Sequence, residues 1–286
     1  MKEPMTTLAR TTLDEVRSFH AKMMAAASNS ADERLERIFE MVPREAFLGP
    51  GPWRIMGHNL RYLETPSADP VHIHQNVVVA LDAAKGINNG EPFLHAAWIG
   101  AAAPKAGDTI CHIGAGTGYY TALLSLLALP QGSVYAFEID ENLVRRARKY
   151  LEPFEGVSVT HGDATVSSLP AADLIYVNAG VVAPPPPWLT ALKPGGRMIF
   201  PWKPAEGVEF AMLVTRADTS FAVRPLMPVR FIPCIGASDS SQCKRVPSLL
   251  EAQAIRSVWL TGDRKPDETA VAIFPDIWFS TAGERS

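Results

Sequence analysis

Ten residues, TICHIGAGTG at positions 109–118, leave the chain few ways to fold. The first half is a short apolar strand of the kind that a sheet covers on both faces. It stops at a turn with glycine at 114, 116 and 118, and residues 119–129 (YYTALLSLLAL) follow, apolar all round like a helix pressed on that sheet. Glycine lets such a turn take positive φ and lets a ligand lie directly on the backbone. The free N–H groups at the helix start offer hydrogen bonds and positive potential to an anionic group. The spacing is G-x-G-x-G, not the G-x-G-x-x-G of dinucleotide folds, because Tyr119 stands where the latter needs its third glycine.

Two more strand ends fall into register with this turn. Residues 134–140 (VYAFEID) end in acids, and Glu138 lies 22 residues after Gly116, the distance at which such folds place a carboxylate on ribose hydroxyls. A third strand, 157–160, runs into His161, Gly162, Asp163 and Ala164. The three-part pattern resembles that of S-adenosylmethionine (SAM)-dependent methyltransferases. A possible strand at 77–81, a fourth buried strand at 172–178 and a fifth at 197–201 alternate with helices at 93–103, 119–129, 141–151 and 188–192. That alternation predicts an α/β fold, a Rossmann-like, doubly wound and mainly parallel sheet. Ligands of such sheets lie beyond the C-terminal strand ends. Here those ends carry residues 114–118, Glu138, Asp163 and Asn178.

Upstream, residues 6–27 and 30–42 read as two helices, the second capped by Asn29 or Ser30 and ended by Pro43. An irregular cap rich in Gly and Pro follows, containing Trp53, His58 and Tyr62. Downstream, residues 209–215 and 229–235 read as a hairpin extending the sheet, 246–260 as a helix and 270–274 as a last strand. The expected division is a helical and irregular cap at 1–74, a SAM-binding core at 75–203 and a C-terminal extension at 204–286. An apolar content of 47% over 286 residues is ample for a core, and a net charge of −3 gives no reason to expect nucleic-acid or anionic-membrane affinity. No run of eighteen apolar residues is present to span a bilayer. The first apolar run is broken by Arg10, Asp14, Glu15 and Arg17, so it does not read as a secretion signal. Cys111, Cys234 and Cys243 are far apart and odd in number, which suggests neither a disulfide framework nor zinc, and a reducing, cytoplasmic setting is expected. His72 and His74 would share one face of a strand, but no carboxylate or cysteine stands at ligand spacing, so no metal is expected.

Several pieces together resemble the protein-L-isoaspartate O-methyltransferase family: VPREAF at 42–47, residues 107–119, Glu138 with Ile139, Gly162 with Asp163, LKPGGR at 192–197 with Pro201, and VRFIP at 229–233. They span about two thirds of the chain, residues 38 to 236. The resemblance implies SAM as methyl donor and S-adenosylhomocysteine as product. Gly114, Ala115, Gly116, Thr117, Gly118 and Tyr119 would hold the aminoacid part, Glu138 with Ile139 the ribose, and Asp163 with Ala164 the adenine. His112 departs from the pattern, because the family usually has an acid there that helps to hold the methionine end.

The family's acceptor signature is Thr-Ile-Ser, one residue, then proline. Asn88, Asn89, Gly90, Glu91 and Pro92 fit it best, with the proline 22 residues ahead of Gly114, whereas His74 is 40 ahead. The serine then falls on Gly90 and the threonine on Asn88, so the amides of Asn88 and Asn89 are the replacement donors available. The acceptor is expected between this loop, the cap around Trp53, His58 and Tyr62, and Asn178. The leading reading is methyl transfer to an oxygen, a carboxylate above all, on a protein or peptide. Two others stay open: methylation of a small molecule on the same fold, and a SAM- or S-adenosylhomocysteine-binding module without catalysis.

Overall fold

The computed structural model describes residues 12–217 and 220–283. Two helices open it, α1 (Leu13–Ser28) and α2 (Arg34–Met41). Thr12 caps α1 in a reciprocal box with Glu15; residues 6–11 of the expected first helix lie outside the described residues. Asn29 does not cap the second helix. It takes φ +48° and closes the first, its N–H bonded to the Ala26 carbonyl. Ser30 does not cap it either: its hydroxyl accepts the Asp32 N–H, and α2 begins only after Glu33.

The cap is more ordered than its Gly and Pro content predicts. After a 3-10 turn at Arg44–Phe47 come a hairpin of β1 (Arg54–Met56) and β2 (Tyr62–Glu64), a second 3-10 turn at Pro70–His72, and a hairpin of β3 (Ala80–Asp82) and β4 (Ile87–Asn88). Residues 77–81 therefore do not supply a strand of the main sheet. They bind the cap instead: Met56 N–H donates to Val78 O, Ile55 bridges Val79, and Asn89 N–H donates to Val79 O. Val79 is buried with Leu48, Trp53 and Ile73 in a small core of the cap's own. His72 ends a 3-10 turn, so it and His74 share no strand face.

The rest builds one sheet. α3 (Pro92–Ala102), β5 (Thr109–Ile113), α4 (Tyr119–Ala128), β6 (Ser133–Glu138), α5 (Glu141–Leu151), β7 (Val157–His161), β8 (Ala172–Val177), α6 (Pro186–Ala191) and β9 (Leu192–Ala205) follow the expected alternation. Asp140 caps α5, as its place before Glu141 predicts. Then come β10 (Val208–Arg216), β11 (Phe221–Pro228), α7 (Leu249–Gln253), β12 (Ser257–Leu260), β13 (Ala270–Ile273) and β14 (Ile277–Ser280). The ten strands lie in the order β13-β14-β12-β11-β10-β9-β8-β5-β6-β7. The half from β7 to β9 is parallel and the half from β9 to β13 antiparallel, so the parallel description holds for the Rossmann-like part.

Three expectations downstream fail, one of them that 270–274 is the last strand, since β14 follows β13. The return strand of the hairpin is Phe221–Pro228, whose Phe221 and Val223 are buried while Arg224 is exposed; residues 229–235 instead cross the end of β8, where Gly180 N–H donates to Ile232 O and Cys234 N–H to Gly180 O. Residues 246–260 hold only the short α7, capped by Ser248, before the chain turns extended to pair β12 with β11 and β14.

Alternation along β5 divides the core into two layers. Ile110 packs with α1 to α5 through Met24, Phe39, Trp98, Leu123 and Ala147. Cys111 and Ile113 face the other side, with Trp188 of α6 and Ala252 of α7. The crossing of α1 and α3 depends on a missing side chain: a Cβ on Gly100 would lie 2.0 Å from the Ser28 carbonyl oxygen, and that is backbone that cannot swing away. Gly100→Ala is expected to cost about 1–3 kcal/mol by overpacking, seen as a lower urea midpoint. An unchanged midpoint would mean that the two helices separate freely.

Candidate active site

The order of the parallel strands reverses at β5, since the chain runs outward through β6 and β7 and then returns to β8 on the other side. Such a switch point opens a crevice at the C-terminal strand ends. Gly114 and Asn178 straddle it: Asn178 N–H donates to Ile113 O, and a Cβ on Gly114 would sit 3.5 Å from the Asn178 carbonyl. Gly114, Gly116 and Gly118 all have positive φ, at +75°, +59° and +94°. At Gly118 a Cβ would also strike Leu151 at 2.6 Å, which fixes α4 close to α5.

Glu138 is tied to that turn. One oxygen accepts the Gly116 N–H at 2.7 Å, and the other accepts Ile139 N–H at 2.9 Å and Asp140 N–H at 3.0 Å. Burial raises its pKa, and the three backbone donors pull the other way. Asp163 makes an Asx turn, its Oδ1 accepting both Thr165 N–H and Thr165 Oγ1–H, while Oδ2 lies against the bare face of Gly236, where a Cβ would come within 2.8 Å. Ala164 O accepts the Trp188 indole N–H at 2.9 Å. Ile139 stays exposed between these acids. Thr117 Oγ1 is buried without a partner.

His112 takes the place of the family's acid and does a different job. It is fully buried, with Nδ1 2.8 Å from Thr121 Oγ1 and Nε2 2.9 Å from Asn178 Nδ2. Because the amide Nδ2 can only donate, Nε2 carries a lone pair, and the ring proton on Nδ1 goes to the Thr121 hydroxyl. Burial brings the imidazole down to about 3, so it stays neutral. The Asn178 amide is thereby oriented, and its Oδ1 is left buried without a partner among the described residues. Tyr119 turns away to pack edge-on to Phe47 at 5.7 Å, and Tyr120 is buried against His95.

Loop 88–92, where the acceptor is expected, is held from beneath by a residue that the sequence reading left without a role. Arg44 is fully buried, and its guanidinium donates at 3.0 Å to each of Asn89 Oδ1, Ile73 O and Gly90 O. Its only signal was its place inside VPREAF. Asn88 also serves the loop, its Oδ1 accepting Gly90 N–H and its Nδ2 donating to Gly86 O. The Asn88 amide is thus spent on the loop. Asn76 secures the exit: its Oδ1 accepts Phe93 N–H at the start of α3, and its Nδ2 donates to Glu91, which precedes the buried Pro92. The β3–β4 hairpin lies over the glycine turn, with Leu81 against Gly116 and Lys85 paired to Asp140.

The cap residues separate. Trp53 is buried in the cap core with its indole N–H on Gly49 O. His58 is exposed at the turn of the β1–β2 hairpin. Tyr62 lies near Asn88: burial raises its phenol and the Asn88 side chain opposes the rise, while its buried hydroxyl makes no hydrogen bond among the described residues. Among the cap residues expected at the acceptor, Tyr62 is therefore the one brought to the loop.

A glycine turn, a ribose-distance carboxylate and an Asx turn on three adjacent parallel strand ends define a Rossmann-like, SAM-dependent methyltransferase. The sequence profile of the protein-L-isoaspartate(D-aspartate) O-methyltransferase family matches residues 22–239, and the chain belongs to that family. Protein-L-isoaspartate O-methyltransferase 1 of Cupriavidus necator is 31% identical over 238 residues, 80% of this chain and 83% of that one. The Ignicoccus hospitalis enzyme of the same name is 31% identical over 68% of this chain and 85% of its own. Among solved structures, a protein-L-isoaspartate O-methyltransferase superposes with a TM-score of 0.66 at 20% identity, covering 92% of this chain and 86% of its own. A putative Plasmodium falciparum homologue, solved with S-adenosyl-L-homocysteine, gives 0.61 at 15% identity over 76% of this chain and 97% of its own. Both share the fold. Among the described residues no helix is long and apolar enough to cross a membrane.

Two expectations follow from these buried groups. Arg44→Met strips the donor from three buried oxygens and should cost about 2–4 kcal/mol, read as a lower denaturation midpoint; a midpoint equal to the parent's would show that the guanidinium fastens nothing. The second concerns acid. Burial, with His74 and Arg44 nearby, brings His20 down to about 3, as burial alone does for His112, both from an ordinary 6.5. The unfolded chain then binds protons that the fold refuses, so stability present above pH 6.5 drains away as pH falls toward 3. Burial would raise Glu45, but hydrogen bonds from His74 and Arg17 outweigh it and hold it at about 2, so its contribution is lost from 4.5 downward. The melting temperature should fall steadily from pH 6.5 to 4.5, and less steeply in His20→Leu. A flat profile over that range would contradict both assignments.

Proposed function

We propose that the chain transfers the methyl group of SAM to a carboxylate oxygen, that of an isoaspartyl residue in a protein or peptide. The observation that carries this reading is the clamp of Arg44 on Asn89 and Gly90, which fixes an acceptor loop beside the switch point. The residues present fit the donor: the bare Cα of Gly114 leaves a cradle, and Asn178 Oδ1 and Thr117 Oγ1 are polar atoms without protein partners. Gly114, Ala115, Gly116 and Gly118 hold the aminoacid part, with Asn178 Oδ1 accepting from its ammonium. Glu138 keeps acceptor capacity for a ribose hydroxyl on the oxygen that takes the Gly116 N–H, because a carboxylate offers about four lone-pair sites, two on each oxygen, and three are taken here. Ile139 covers the adenine, and Asp163 Oδ2 with Ala164 reads its edge.

When bound, SAM supplies an electrophilic methyl carbon on a sulfonium and its own neutral leaving group. The acceptor carboxylate is already an anion, so no protein base is needed, and the protein's work is to strip water from that oxygen and aim it. Neutral His112 suits this, since a protonated imidazole there would compete for the acceptor. Loop 88–92, Tyr62 and residues 229–233 form the walls that receive the peptide. The three free cysteines fit a reducing, cytoplasmic setting.

The test is transfer of labelled methyl from SAM to an isoaspartyl peptide beside the same peptide with normal aspartate. Base-labile label on the isoaspartyl form alone is expected. Equal labelling of both, or none with SAM binding confirmed in the same sample, would overturn the acceptor assignment.

A further inference from the structure

His95 is a buried imidazole to which the reading above gives no task. It lies in the first turn of α3 and is 1% exposed. Its ring stacks on Tyr120, centroids 3.8 Å apart and planes 24° apart, and Nδ1 lies 2.9 Å from the Tyr176 hydroxyl. Burial keeps the Tyr176 phenol protonated, so it is a donor with two candidate acceptors, His95 Nδ1 at 2.9 Å and the His95 carbonyl at 3.5 Å. The nearer takes the proton, and the neutral ring then carries its own hydrogen on Nε2. Burial, reinforced by His112 and Arg44, holds His95 well below its ordinary range, in keeping with a neutral ring.

Among the described residues the hydrogen bond of the His95 ring is made through Nδ1, and Nε2 points at loop 88–92: a Cβ on Gly90 would lie 2.3 Å from it. Gly90 and His95 are therefore a matched pair, in which the space of a side chain at 90 is filled by the imidazole of 95. The remaining contacts lead to the donor end of the crevice. The Tyr176 ring meets His112 edge-on at 5.6 Å, and His112 holds Asn178. The two imidazoles thus flank one tyrosine, one beside the acceptor loop and one beside the glycine turn. An N–H that faces the loop is open to a ligand there, and an anionic oxygen is the partner it binds best.

We propose that His95 binds the acceptor, its Nε2–H donating a hydrogen bond to the carboxylate that receives the methyl group. This rests on the carboxylate reading above, and it makes His95 and Gly90 together the specificity device of this chain. Gly90→Ser would then be inactive through collision with the imidazole.

Two measurements on the full chain test it. The first compares His95→Leu, which fills the space without a donor, with His95→Gln, which keeps an amide N–H. His95→Leu is expected to lose about 10- to 100-fold in kcat/KM for the isoaspartyl peptide, the worth of one hydrogen bond to a charged group, while S-adenosylhomocysteine affinity stays within about twofold; His95→Gln should retain most of the activity. Unaltered kcat/KM in His95→Leu, or equal losses of acceptor and cofactor binding in both variants, would reduce His95 to packing. The second records the imidazole ¹⁵N–¹H resonances of the parent protein loaded with S-adenosylhomocysteine, during titration with the isoaspartyl peptide and separately with succinate. Movement of the His95 Nε2–H signal in either titration supports the assignment, even if the peptide is never methylated. A signal that moves in neither overturns it, even if methyl transfer succeeds. Failure of transfer alone counts only against the isoaspartyl substrate.

Discussion

A guanidinium taken out of water with no carboxylate beside it is costly to keep unless each of its nitrogens finds an oxygen. Arg44 is such a group, and the arrangement of the acceptor side follows from satisfying it. Its three acceptors come from the 3-10 turn region ending at Ile73 and from loop positions 89 and 90, so one buried charge joins three stretches that share no regular strand with each other. The neighbouring Glu45 does the same for the helices: it receives Arg17 of α1 and His74, and it thereby pins the cap beside Arg44. Because these are hydrogen bonds of defined direction, the loop has one geometry where apolar packing would permit several.

The donor side is built by different physics. Parallel strands with both faces buried bring their C-terminal ends to one edge, and backbone N–H groups lock each end to the next, Gly114 and Ala115 to Phe137 and Gly162 to Glu138. Side chains there need only be small or acidic. The two halves meet across α3 and β8, where His95, Tyr176, His112 and Asn178 form a connected polar row inside an otherwise apolar layer. Burial keeps His95, Tyr176 and His112 in their neutral forms, so the row itself adds no charge between the two halves.

How much of this the sequence disclosed depended on whether a feature repeats. The parallel half was legible because buried strands, Asp140 before α5 and glycines at fixed spacing each leave a local mark. The cap was not: its order rests on single bridges such as Ile55 to Val79, which have no period. β11 was obscured by Pro225 and Pro228, which argue against a strand, although β12 pairs only with Phe221 and Ala222 and so asks no ladder bond of either proline. β12 and β14 are four residues each, too short for alternation to show, and the apolar residues near Leu249 read as a longer helix than the five residues that form. In the site, Glu138 and Asp163 were visible as acids at strand ends. Arg44 and His95 were not, because a sequence does not distinguish a buried arginine from a solvated one, or a histidine in the core from one facing a ligand.

The proposed transfer requires the acceptor carboxylate to rest on loop 88–92 within reach of the donor held at the glycine turn. A crystal structure of the protein with S-adenosylhomocysteine and an isoaspartyl peptide measures this directly. The account predicts the carboxylate at hydrogen-bonding distance from the loop, facing the cofactor sulfur across Asn178, with the Arg44 clamp intact. A peptide seated elsewhere, or a cofactor that does not touch Gly114 to Gly118 and Glu138, would contradict it.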